Sequence, residues 1–176
     1  FSLLKPIEIP FIWYYLAKQK VYLMHKRTIL GPFWFLINVL IFSLVLGSVY
    51  SGIFTVNFFQ YTIYITSGFM GWLWVAAILS SSGTIFIENA PIIRSYPFEK
   101  SILIWSHAMR NLICFFYQLP IFIMIYIFGL VEINIYTFLL LPNLLLIFIM
   151  NIGFSAVLCI LVTRFRDIQQ LISSSI

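Results

Sequence analysis

Charge is what this sequence most lacks. Asp, Glu, Lys and Arg make up 9% of its 176 residues, against 62% hydrophobic residues, whereas a soluble domain carries about 25% charged residues. So few charges leave too little polar surface to hold a globule in water, and the mean hydropathy of +1.06 agrees. The solvent around most of the chain is lipid. Acid is scarcest, with five Asp and Glu against ten Lys and Arg. The net charge of +5 does not point to nucleic acid, because the basic residues gather at the ends of apolar stretches and form no stripe. Membrane topology places them that way. Cysteine is limited to Cys114 and Cys159, both inside apolar stretches. Two lone thiols make neither a zinc nor a redox site, and they read as small packing residues.

Further absences exclude further chemistry. None of the eight glycines precedes a lysine, so the G-x-x-x-x-G-K-[ST] loop that cradles nucleotide phosphates is missing. Ion-coupled transport keeps titratable groups at membrane depth, where each is costly, and no charge falls at the centre of an apolar stretch. His107 and Arg110 lie within the first two turns of one and suit a structural role. An interfacial enzyme would have only Glu88, His107 and Arg110 to work with, at no spacing tied to a mechanism. The chain starts at Phe1 and ends at Ile176, directly after the polar run Ser173-Ser174-Ser175. It has no basic leader with a cleavage site, and both ends are expected to be cut.

Long apolar runs are what the sequence does have. No charge occurs from Thr28 to Ile87, a stretch of 60 residues. A helix needs about 20 residues to cross ~30 Å of hydrocarbon, so this stretch holds two crossings, with a turn over Ser51-Gly52 to Asn57. The expectation is an all-α, polytopic helical membrane protein with a single transmembrane domain over 1–176. An amphipathic interfacial helix at 10–27 precedes transmembrane helices at 31–50, 59–86, 104–128 and 136–162, and a polar loop occupies 88–100. Lys18, Lys20, Lys26 and Arg27 precede the first crossing, Arg94 and Lys100 follow the second, and Arg164 and Arg166 follow the fourth. The opposite loops hold no Lys or Arg, so the basic segments and the N-terminus are placed in the cytoplasm. The 10–27 segment mixes Trp13, Tyr14, Tyr15 and Tyr22 with lysines whose stems can lie along apolar surface, which suits a helix on the membrane face. Gly31-Pro32 marks the bend into the first span.

Two patterns stay open between packing and function. Ala76, Ser80 and Thr84 recur every fourth residue, with Ser67 and Gly71 starting a second row. Small residues at that spacing let helices approach in lipid, within one subunit or between two. Aromatic residues reach 19%, more than two interfacial belts require. Phe33, Trp34, Trp72 and Trp74 fit a belt or a path for sugar rings.

Several motifs in order resemble ABC-2 type permeases that export polysaccharides such as O-antigen, capsule and teichoic acid. Lys26-Arg27-Thr28-Ile29-Leu30-Gly31-Pro32-Phe33-Trp34 resembles the family's approach to its first span. Ser67-Gly68-Phe69-Met70-Gly71-Trp72, Ser80-Ser81-Ser82-Gly83 and Glu88-Asn89-Ala90-Pro91-Ile92-Ile93 resemble its second span and following loop. Pro97 matches the proline closing that loop, and Arg164-Phe165-Arg166-Asp167-Ile168 its basic stretch after the fourth span. The resemblance implies a six-span fold whose last part is missing here, in a bacterial inner (plasma) membrane. It implies a homodimer of permeases paired with a cytoplasmic ABC ATPase, which binds ATP and Mg while this chain binds no cofactor. It makes 88–100 the loop coupled to the ATPase (Glu88, Asn89, Arg94, Pro97, Glu99), and 10–27 the interface helix (Trp13, Lys18, Lys20, Lys26, Arg27). Phe33, Trp34, Trp72 and Trp74 become candidates for a glycan path, and the substrate a lipid-linked polysaccharide. The alternatives are an ABC-2 permease for a drug or lipid, and the interfacial enzyme.

Overall fold

The structure, a computed structural model, describes residues 5–26, 28–54, 56–95, 99–127 and 138–176. These residues form helices and no strand: a 3-10 turn at Lys5–Glu8, then α1 (Pro10–His25), α2 (Phe33–Phe54), α3 (Phe58–Ser82), α4 (Ile85–Glu88), α5 (Ala90–Ser95), α6 (Lys100–Phe116), α7 (Pro120–Ile127), α8 (Leu140–Arg164) and α9 (Asp167–Ser175). Three of them, α2, α3 and α8, are long and apolar enough to cross a membrane. The protein is an all-α, polytopic membrane protein.

The helix ends differ from the sequence expectation for identifiable reasons. Ser51 and Gly52 do not turn the chain, since α2 continues to Phe54. Backbone groups in lipid have no water to bond, so a helix continues through weak formers. The Ser48 and Ser51 hydroxyls donate back to the Val45 and Ser48 carbonyls (2.8 and 3.2 Å). The turn falls at Asn57 instead, whose side chain caps α3 by accepting from the Phe59 N–H at 3.0 Å. At its other end α3 stops at Ser82 and not at Phe86, with Gly83-Thr84 separating it from α4. The hydroxyls of Ser80, Ser81 and Ser82 bond carbonyls of their own preceding turn, a local competition that weakens helix continuation.

The crossing expected over 104–128 is broken. α6 ends at Phe116, and the Gln118 and Leu119 N–H groups bond the carbonyls three residues back before α7 starts at Pro120. A proline ring clashes with the carbonyl four residues earlier and offers no N–H, so a straight helix through Pro120 is disfavoured. In the segment expected as a crossing over 136–162 the helix runs Leu140–Arg164, and residues 136–137 lie outside the described residues.

Packing is selective, as a lipid solvent allows. One cluster joins Val39, Met70, Trp74, Ile78, Phe115 and Ile121. A second joins Ile85, Leu103, Ile104, Ala156 and Cys159. Between them these clusters tie α2, α3, α4, α6, α7 and α8 together. The opposite faces of α2 and α8 leave large apolar side chains such as Ile41, Val45, Leu145 and Ile149 exposed. Tight contacts are made at Gly47 against Thr62 and at Gly83 against Val162 and Gln169, where a Cβ would overlap its neighbour. Gly71, in the second small-residue row, faces open space.

Candidate coupling site and membrane interface

The end of α3, the first half of α6 and the end of α8 meet at one end of the bundle. Ser81 Oγ lies 2.8 Å from His107 Nε2, and Ser155 Oγ lies 3.2 Å from His107 Nδ1. An Arg110 Nη2 donates to Ser81 Oγ at 2.9 Å, Ser155 Oγ donates to Asn151 Oδ1 at 3.0 Å, and Ser82 Oγ stands 2.9 Å from Ser155 Oγ. The hydroxyl protons of Ser81 and Ser82 go to the Ala77 and Ile78 carbonyls, so Ser81 is an acceptor within the cluster. Ser81 then accepts from Arg110 and from His107 Nε2–H, and the single Ser155 hydroxyl proton is shared between Asn151 Oδ1 and His107 Nδ1. His107 (2% exposed), Ser82, Asn151 and Ser155 are buried. A buried polar cluster fed by three helices ties them into one arrangement, because a shift would break its hydrogen bonds.

A second fastening lies beside it. Gln169 Nε2, on α9, donates to the Ser80 carbonyl at 2.6 Å, which is one of the carbonyls freed where α3 ends. The segment after α3 is built from this clamp. Asn89 is buried and its side chain donates to the Ile85 carbonyl at 2.6 Å, closing α4. Glu88 is exposed and accepts from Thr84 Oγ1 at 2.6 Å. Arg94 is exposed in the last turn of α5. Glu99 pairs with Lys5 at 3.5 Å, and Pro97 lies outside the described residues. Of the three residues in the enzyme alternative, His107 and Arg110 share Ser81 while Glu88 is turned to Thr84.

The N-terminal helix α1 lies along α6. Ala17 and Val21 are buried, and Trp13 sits 5.5 Å from Trp105 while its Nε1–H donates to the Pro6 carbonyl at 2.9 Å. Phe11, Tyr15 and Tyr22 stay exposed, as do Lys18 and Lys26. Arg27 lies outside the described residues. Lys20 is half-buried, and its pKa is lowered by that burial first and by the Arg110 guanidinium second, with Glu88 opposing. The bend after α1 passes through Gly31, whose φ of +54° is a left-handed conformation that costs other residues energy.

The aromatic candidates for a path are not brought together. Phe33 and Trp34 are exposed at the start of α2, and Trp72 is half exposed on α3. Trp74 is 3% exposed and stacks on Phe115 at 4.5 Å between ring centres. Residues two apart on a helix do not share a face, so Trp72 and Trp74 diverge. The Trp74–Phe115 pair lines two cavities. One, of about 270 Å³, includes Asn38, Asn111 and Gln118, and the other, of about 250 Å³, includes Ser67, Gly71 and Asn143. The second small-residue row therefore borders a cavity.

The His107 chain was only half legible. His107 and Arg110 stood out as shallow polar residues and Ser81 and Ser82 as part of a motif, but nothing linked them to one another or to Asn151 and Ser155. Asn151 and Ser155, four apart on α8, were the available signal for a polar stripe.

Comparison with known proteins gives one consistent likeness. Two proteins of Klebsiella pneumoniae, each named O-antigen export system permease protein RfbA, are 26% identical to this chain over 106 residues. The match covers 60% of this chain and 41% of each relative, so it spans less than half of their length. No family model matches the chain, and no solved structure does.

Proposed function

We propose that this chain is the membrane-embedded part of an export permease, and that its cargo is a lipid-linked polysaccharide driven by ATP hydrolysis in a partner ABC ATPase. The likeness to an O-antigen export permease over 106 residues carries this reading. The geometry supports it. The α4–α5 segment hangs from a clamp that joins α3, α6, α8 and α9, so a force applied to that segment reaches several helices at once. In this reading Glu88, Asn89, Arg94, Pro97 and Glu99 form the contact with the ATPase, which holds the ATP and Mg. The chain itself serves as a non-catalytic subunit, pairing with a second copy in a bacterial inner membrane.

The test uses cells that make the protein together with its ATPase partner. Replacing residues 90–95 by a neutral Gly-Ser linker is expected to abolish surface polysaccharide while membrane levels of the protein are kept. Undiminished export from that variant refutes the coupling role. Loss of resistance to a toxic compound, with polysaccharide export intact, turns the reading toward a drug permease.

A further inference from the structure

A pocket of about 280 Å³ opens beside α1, where the chain bends toward its first span. Its floor is apolar, from Val21, Pro32 and Ile113, and its rim carries Lys18, His25 and Lys26 with Tyr22 and Tyr117. No Asp or Glu lines it, and neither lysine has an ion-pair partner among the described residues. His25 Nδ1 is engaged by the Val21 carbonyl at 3.0 Å, and the ring meets Phe35 edge-on at 5.2 Å, which holds the imidazole in place. Gly31 and Pro32 immediately precede α2, an uninterrupted apolar helix. The pocket is therefore at the level where lipid headgroups begin. A cationic rim over an apolar floor at that depth matches a phosphate with acyl chains attached, and basic pockets between helices at the membrane surface bind such headgroups.

We infer that this pocket holds the phosphate group of an anionic phospholipid from the bilayer around the protein. The two lysines and the tyrosine hydroxyls face the phosphate, and Val21, Pro32 and Ile113 support the start of the acyl chains. Docking of α1 on the membrane then depends on lipid charge at one site, in addition to its exposed aromatic flank. The inference needs only the membrane placement of α2 and is independent of the transport reading.

Native mass spectrometry of the detergent-solubilised protein, titrated with phosphatidylglycerol and separately with phosphatidylcholine, tests it. Phosphatidylglycerol is expected to be retained preferentially. Lys18→Gln with Lys26→Gln should weaken that retention by about fivefold per lysine, and Lys18→Arg with Lys26→Arg should keep it. The control pair Lys100→Gln with Arg166→Gln removes equal charge elsewhere and should leave it unchanged. Equal losses in the glutamine pair and the control pair would show a general charge effect and overturn the site. Displacement of phosphatidylglycerol by millimolar inorganic phosphate would overturn the lipid as the occupant. If the glutamine pair loses its helical circular dichroism, the arginine pair decides, and its failure to retain phosphatidylglycerol also counts against the pocket.

Discussion

Gly83 sits where α3 ends and α8 and α9 come closest, with Val162 and Gln169 in the space a Cβ would fill. Alanine at an ordinary helix position gains about 1 kcal/mol over glycine. Overpacking a filled site costs about 1–3 kcal/mol, so the clash is expected to win. Gly83→Ala should lower stability in detergent unfolding, and a gain would mean the helices are less closely apposed than described. Lys20 offers a pH signature at the same scale. Its folded pKa lies below the ordinary lysine value of 10.5, so the unfolded chain binds more protons between those two values. Stability therefore rises with pH through that window and is lower below it. Lys20→Met should raise the melting temperature at neutral pH and flatten that rise, which a series of melts at increasing pH would show. The pairing of Ser81 and Ser155 with His107 was not legible, because these serines lie 26 and 48 residues from it along the chain. No local pattern reports such a pairing.

At the scale of elements, the sequence located apolar segments well and their ends less well. The two reasons are opposite. Lipid carried α2 through Ser51 and Gly52, which in water would favour a turn, while three consecutive serines and Gly83 stopped α3 early. Pro120 was visible in the sequence, yet apolarity on both sides made one continuous crossing the natural expectation. With the break attributed to Pro120, Pro120→Ala should let α6 run on into α7. Hydrogen exchange at Gln118 to Ile121 is then expected to slow relative to the native chain, and unchanged exchange would assign the break to tertiary packing. The aromatic candidates also divide at this scale. Helical spacing alone sends Trp72 and Trp74 to different faces, so they could not line one wall of a path.

At the scale of the molecule, topology rests on where basic residues fall, and the structure adds a geometric constraint. The end of α3, the start of α6 and the end of α8 share one end of the bundle. The chain must therefore leave that end along α6 and α7 and return along α8. The corresponding prediction is a sidedness experiment. In a background with Cys114→Ser and Cys159→Ala, Ser95→Cys and Ser173→Cys should react with an impermeant maleimide only in inside-out vesicles. Asn57→Cys should react only from the opposite side. Labelling of positions 57 and 173 from the same face would contradict the arrangement.

The sequence by itself determined that this protein lives in lipid, that it is helical, and which segments stay on the basic side. Those properties follow from hydropathy, helix rise and charge placement, which act residue by residue along the chain. The tertiary structure alone decided that His107 joins three helices through Ser81 and Ser155, that Gln169 closes the end of α3, and that Lys18 and Lys26 rim a pocket with Ile113 and Tyr117. Each of these depends on side chains far apart in the chain meeting in space, and only the packing of helices against one another sets such distances.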